Sequence, residues 1–400
     1  MVDLRLHRRE VKTALRRRDL VDSYFVGKFG MSPYQACAHG CTYCDGRAER
    51  YFIEGEFDRD IVIRSNIATV LERDLRGQRE RGIVFIGSGV SDAYQPPEAE
   101  ENLMRSCARL LADRALPATV LTKSHLALRD LDVWSEVNRK AGFVFMVSLM
   151  TLDDDVRRAF EPHASTIDER LDALAAFKAQ GCVTGVAAMP FLPGLSDGNE
   201  QIRALAEGLS AVGVDFVLPG GLTLRPGRQK QFFLETLRSF RPDLLRLYER
   251  LYAEDRPSGA PLSTYGESVH RRAIAVFQEA GFPIRMPHAI YHGRLPVYDE
   301  VYVLLQHMTD LYAARGRSVR RLRDAQSRYT EWLLARKKVF NRRRSLRPGA
   351  IEWELKDLAR TGGLAELLAN AKLGEFLRAV LLERQIFDYR RLELVCTDPQ

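Results

Sequence analysis

No stretch of this chain is apolar for the roughly 20 residues that a bilayer crossing needs, and none near its start is apolar at all. The sequence therefore predicts a cytoplasmic protein with no membrane partner and no secretory leader. Internal repeats and low-complexity segments are missing too, which argues against a repeat array. Cysteine is scarce, with six in 400 residues, and 46% of the chain is hydrophobic. A core of that size does not need disulfides, so the cysteines call for another explanation.

Three of the six supply one. Cys37, Cys41 and Cys44 stand in a C-x3-C-x2-C run with Tyr43 before the last cysteine. In a reducing compartment a cysteine cluster this tight more often binds metal than closes a disulfide. Three thiolates so spaced can hold three irons of a [4Fe–4S] cube and leave the fourth without a protein ligand. Structural zinc on the three cysteines and His39 is the alternative, but His39 sits inside the short spacer, an awkward place from which to close a tetrahedron. Cys107, Cys182 and Cys396 are scattered, so no second cluster is expected: Cys107 reads as core, Cys182 as structural, and Cys396 is undecided.

Short apolar runs alternate with amphipathic helices from residue 27 to 227. Strands are expected at Lys28–Tyr34, Ile83–Ile86, Ala118–Leu121, Phe143–Ser148, Val183–Met189 and Val214–Pro219. Continuous apolar runs of this kind suit parallel strands buried on both faces. Thr166 and Glu169 form a capping-box signature ahead of Leu171, Leu174 and Phe177, and Pro97 starts a helix that carries Cys107. The fold class expected is α/β: a partial (β/α)6 barrel of the triosephosphate-isomerase type with a C-terminal helical extension, the doubly wound sheet being the alternative. The domains follow as a helical arm over 1–26, the barrel over 27–227, a helical extension covering it over 228–300, and a basic helical region over 301–400. Helices are expected at 229–254, 264–280, 297–314, 318–341, 350–360 and 364–384.

Reactive groups in such a barrel sit where strands end. The cysteine loop follows the first strand, Gly87-Ser88-Gly89-Val90-Ser91-Asp92 the second, Thr122-Lys123-Ser124 the third and Ser148 to Thr151 the fourth. Pro190 to Gly194 and Gly220 to Gly227 follow the last two. Six polar or glycine-rich strand ends converge on one rim, which an unrelated cysteine cluster would not require. Asp92 is equally suited to capping the turn before Pro97.

These segments resemble the radical S-adenosylmethionine (SAM) superfamily and, within it, the spore photoproduct lyase-like group. The likeness spans about residues 25–230. It is carried by Ser32 to Arg47, Val90 to Glu98, Leu121 to Ser124 and Phe160-Glu161-Pro162. It implies a [4Fe–4S] cluster whose open iron chelates SAM, reductive cleavage to methionine and a 5′-deoxyadenosyl radical, and an electron donor such as flavodoxin or ferredoxin. Ser91, Lys123 and Ser148 match the family's cofactor-binding positions. Lys123 suits the SAM carboxylate, Ser91 and Ser148 its amino-acid part, and Tyr43 can pack on the adenine or the cluster. Two positions depart from spore photoproduct lyases. Gly89 stands where they carry a hydrogen-donating cysteine, and Asp45 stands where they carry a relay tyrosine. The expected substrate is therefore a different one.

The formal charge of +7 is local. Residues 313–347 hold thirteen Lys/Arg against Asp324 and Glu331, a net of +11 that leaves the rest about −4. Val319, Leu322, Gln326, Tyr329 and Leu333 recur at helical spacing. The other face would present Arg317, Arg320, Arg321 and Arg328, with Arg336, Lys337, Lys338 and Arg342 to Arg344 extending it. Residues 315–347 are thus a candidate phosphate-binding strip for nucleic acid, weighed against a plain solvated helix. The function expected is radical chemistry on an unidentified substrate. Nucleic acid leads, a peptide or small metabolite is the alternative, and a non-catalytic metal-containing nucleic-acid binder is the reading from another class.

Overall fold

The structure is a computed structural model that describes residues 3–87, 89–342 and 349–396, the side chain of Arg342 excepted. Ser88, Arg343 and Arg344 of the segments above lie outside the described residues.

The N-terminal stretch is not helical. Arg5–Arg9 (β1) and Arg16–Asp22 (β2) are strands. Pairing overrides local preference here. β1 runs parallel to Asp60–Arg64 (β5), and Asp60 grips both Arg5 (2.6 Å) and His7 (2.9 Å). The two-residue strand Tyr34–Gln35 (β4) lies antiparallel on the other side of β5.

All six strands expected for the barrel form: Gly27–Met31 (β3), Val84–Ile86 (β6), Ala118–Thr122 (β7), Phe143–Ser148 (β8), Val183–Phe191 (β9) and Phe216–Gly221 (β10). Their sheet order is β10-β9-β8-β7-β6-β3, with β2 beyond β3. Each strand neighbours the next in sequence, and β7, β8, β9 and β10 pair in parallel. A doubly wound sheet would reverse direction partway, so the fold is a partial triosephosphate-isomerase-type barrel. Thr166 and Glu169 close the expected capping box on helix Ile167–Ala179. The helix expected from Pro97 is interrupted at Asn102, which takes a left-handed conformation between Glu98–Glu101 and Leu103–Asp113. The 229–254 stretch is likewise two helices, Arg228–Phe240 and Leu245–Leu251, parted by a turn at Pro242, which cannot continue the first. The 364–384 stretch divides at Ala369, and Asn370 caps Ala371–Leu382. A hairpin of Ile386–Asp388 (β11) and Glu393–Val395 (β12) follows, which the sequence reading did not anticipate.

The chain divides into two compact units. One comprises Met1–Arg16, Met31–Arg76 and Ile86–Ile284; the other comprises Arg17–Gly30, Gly77–Phe85 and Arg285–Gln400. The second unit is built on buried charge. Lys28 and Lys337 both pair with Asp299, Lys28 at 2.8 Å, and Lys28 also lies 3.4 Å from Glu80. Lys337 was expected on the exposed basic face. It instead turns inward from helix Arg320–Arg342, and burial pulls its pKa down to about 8 against the pull of Asp299. Arg320, Arg321, Arg323, Arg328 and Lys338 are exposed, and Arg336 pairs with Glu354 at 2.7 Å.

In the same unit Glu300 accepts from His288 (2.9 Å) and His292 (2.7 Å). The backbone N–H of Phe387 donates to Nδ1 of His288 (3.0 Å). The proton of a neutral His288 therefore sits on Nε2, facing Glu300, where a metal would need a lone pair. The trio anchors the β11 hairpin by hydrogen bonds.

Asp299→Asn leaves two buried ammonium groups without their shared counter-charge. It is expected to cost about 3–5 kcal/mol, read as a lower midpoint in urea denaturation.

Candidate functional site

The cysteine loop is wound tightly at the carboxyl end of the sheet. Gly40 N–H bonds to Cys37 C=O (3.3 Å), Cys44 N–H to Cys41 C=O (3.3 Å) and Arg47 N–H to Cys44 C=O (3.0 Å). Gly40 has φ +67°, and a Cβ there would press on His163, so glycine suits this corner. Cys37 and Cys41 are buried, Cys44 is half-buried, and all three are free thiols. Among the described residues they do not gather within 4.8 Å of one another as ligands of a single ion would; His288, His292 and Glu300 do. Burial pushes the Cys41 thiol up to about 12, and Lys123 opposes it; the thiols of Cys37 and Cys44 are also raised, by burial first.

Side chains from four directions hold the loop. Gln95, fully buried, accepts from Ala38 N–H (2.8 Å) and donates to Ala36 C=O (3.2 Å). Arg47 donates to Cys41 C=O, Gly40 C=O and Asp58, each at 2.9 Å, with its guanidinium 3.8 Å from the Phe232 ring centroid. Asp45 is locked by Thr223 (3.0 Å), Arg225 (3.2 Å) and Gln229 (3.3 Å). Tyr43 donates to Glu161, which pairs with Arg170 at 2.5 Å. Burial works against the Glu161 carboxylate, but Arg170 and then Lys123 hold its pKa below the usual range.

The other strand ends bring the expected residues to the same unit. Ser91 is buried, 3.5 Å from Gln95. Asp92 caps its own turn through Tyr94 N–H (2.8 Å) and also clamps the end of β7, accepting from Thr122 (2.7 Å) and Lys123 N–H (2.8 Å). Lys123 places Nζ 5.7 Å from the Tyr43 ring centroid, and Cys41 and Glu161 offset the burial that disfavours its charge. Ser148 donates to Met189 C=O at 3.2 Å. His39 is buried, and burial lowers its pKa. Gly89 offers its carbonyl to Cys44 Sγ at 3.5 Å, and a Cβ there would meet nothing within 4 Å. Gln95, Arg47 and Arg170 escaped the sequence reading as site residues. Gln95 and Arg47 stood inside segments singled out for other residues, and Arg170 lies one position past the capping box.

The Radical SAM superfamily model matches residues 31–206. An uncharacterised protein of Mycobacterium tuberculosis, Rv2578c, is 31% identical over 230 residues, covering 56% of this chain and 67% of the relative. The uncharacterised MJ0683 of Methanocaldococcus jannaschii is 25% identical over 171 residues, covering 42% of this chain and 62% of its own length. Among solved structures, spore photoproduct lyase complexed with dinucleoside spore photoproduct matches with a TM-score of 0.53 at 16% identity, covering 70% of this chain and 80% of that one. A variant of that lyase with AdoMet bound matches with a TM-score of 0.50 at 18% identity, covering 68% and 79%. This chain belongs to the radical SAM superfamily and is a radical SAM enzyme. The family implies SAM, an iron–sulfur cluster and a reductant. No helix among the described residues is long and apolar enough to cross a membrane.

Gln95→Leu strips both bonds from the loop and leaves Ala38 N–H and Ala36 C=O buried without partners. The expected cost is about 1–3 kcal/mol for each group. Hydrogen exchange should report faster opening of residues 36–47.

Proposed function

We propose that Cys37, Cys41 and Cys44 carry a [4Fe–4S] cluster and that Tyr43, Ser91, Lys123 and Ser148 bind SAM beside it. The observation that carries this is one buried neighbourhood holding both the thiols and the Lys123 cation at the carboxyl end of the sheet. A cube gives each of the three sulfurs its own iron, whereas structural zinc needs a fourth ligand, and His39 inside the short spacer is awkwardly placed to be it. Burial leaves these thiols neutral, so bound iron would have to supply the charge that keeps them as thiolates. The Thr42 hydroxyl, buried with no hydrogen-bond partner, leaves a donor for an acceptor that a bound group would bring. The cluster and SAM supply the electron and the hydrogen abstraction when bound. The chain's part is to hold Lys123 toward a carboxylate, to orient the amino-acid end of SAM through Ser91 and Ser148, and to keep water away from the thiols. An acidic electron carrier such as flavodoxin or ferredoxin is the proposed reductant, and a cytoplasmic setting suits it.

The proposed substrate class is nucleic acid. The exposed Arg320, Arg321, Arg323, Arg328 and Lys338 support it: among the described residues none has an ion-pair partner, and together they suit a row of phosphates. Asp45 and Gly89 set this enzyme apart from spore photoproduct lyases, because Asp45 is committed to Thr223, Arg225 and Gln229 and position 89 bears no thiol.

Anaerobic reconstitution should give a brown protein that releases 5′-deoxyadenosine from SAM under dithionite. Alanine at any one of the three cysteines should remove the iron and the product together. Release of product by all three variants at the wild-type rate would refute the assignment. Spore photoproduct dinucleotide should pass through unreacted. Replacing Arg320, Arg321 and Arg328 with alanine should flatten the salt dependence of oligonucleotide binding by roughly two to three in slope, near 0.7–0.9 for each lost contact. An unchanged slope excludes this face as the contact.

A further inference from the structure

Glu161 and Arg170 are fully buried and form the ion pair that meets the cysteine loop through Tyr43. Stability does not account for them, since a buried pair of this kind is often replaced by packed apolar side chains without loss. Their connections run to three of the loops that form the site. The N–H of Thr42, next to Cys41, donates to Phe160 C=O at 2.9 Å, so residues 42–43 are tied twice to residues 160–161. Arg170 donates through Nη1 to Ser148 C=O and through Nε to Ser165 C=O, each at 2.9 Å. The N–H of Ser165 in turn donates to Lys123 C=O at 3.1 Å. One guanidinium thus reaches the cysteine loop, the end of β8 and the loop after β7.

We propose that Tyr43, Glu161 and Arg170 form a positioning relay that fixes Cys41 and Cys44 relative to Lys123 and Ser148 and sets the electrostatic field at the cluster, and hence its reduction potential. This deepens the cluster assignment above and rests on it. Glu161 and Arg170 act through the groups they hold. Its two charges cancel as long as both are present, and cluster potential responds to net charge nearby and to burial. Removing the carboxylate leaves the field more positive and eases reduction. Removing the guanidinium does the opposite.

The test is the midpoint potential of the reconstituted cluster, followed by electron paramagnetic resonance in a redox titration of the full chain. Glu161→Gln should move it upward and Arg170→Met downward, both at wild-type iron content. Shifts of the same sign, or none, overturn the relay. Should either variant fail to fold, Tyr43→Phe and Arg170→Lys carry the test. Tyr43→Phe keeps the ion pair but leaves Glu161 less screened, so the potential should fall. Arg170→Lys keeps the charge but not the fork to Ser148 and Ser165, so the potential should stay near wild type while the KM for SAM rises several-fold. A wild-type potential and line shape in Tyr43→Phe, or a wild-type KM in Arg170→Lys, refutes the proposal. A wild-type chain that takes up no cluster defeats the cluster assignment itself, and the relay with it; a normal wild-type signal with unresponsive variants defeats the relay alone.

Discussion

The architecture of the site depends on an ion pair shut away from bulk solvent. Arg170 and Glu161 face one another with neither side chain exposed. In such surroundings a charge is tolerable only beside its opposite and with its remaining hydrogen-bonding groups engaged. That requirement makes the surroundings specific. The guanidinium fork needs the carbonyls of Ser148 and Ser165, and the carboxylate draws in the phenol of Tyr43. Short loops from separate strands are thereby held to one arrangement.

Charge buried inside protein recurs in the second unit with a different outcome. Lys28, Lys337, Asp299 and Glu80 neutralise one another and turn a helix rich in arginine into one with a packed inner face. The exposed arginines on its outer face are left for solvent or a polyanion. Both units thus use paired charges in the interior, one to join the loops of the candidate site and the other to seat a helix whose composition alone would not bury.

The barrel was legible because most of its strands, three to nine residues long, are apolar runs set between amphipathic helices, a pattern few other arrangements produce. The cysteines were legible through spacing, and the polar strand ends through their position after those runs. What was hidden depends on contacts distant in sequence. Arg5–Arg9 looks like a polar helix until Asp60 is placed beside it. Lys337 looks like one more surface cation until Asp299 meets it. Arg170 sits where an amphipathic helix could show any polar residue, and only the placement of Glu161 gives it a role. Asp92 was read as a cap for the turn before Pro97; it does bond to that turn, and its clamp on β7 was hidden because Thr122 lies 30 positions away.

The second unit is assembled from three pieces of chain, residues 17–30, 77–85 and 285–400. Lys28 and the carboxylate it needs are 271 positions apart. During synthesis, at roughly 5–20 residues per second, the early pieces emerge long before their partners. For that interval an ammonium destined for the interior must stay hydrated. Truncation ahead of Asp299 therefore removes more than a tail: it leaves Lys28, in the first of the three pieces, without its counter-charge.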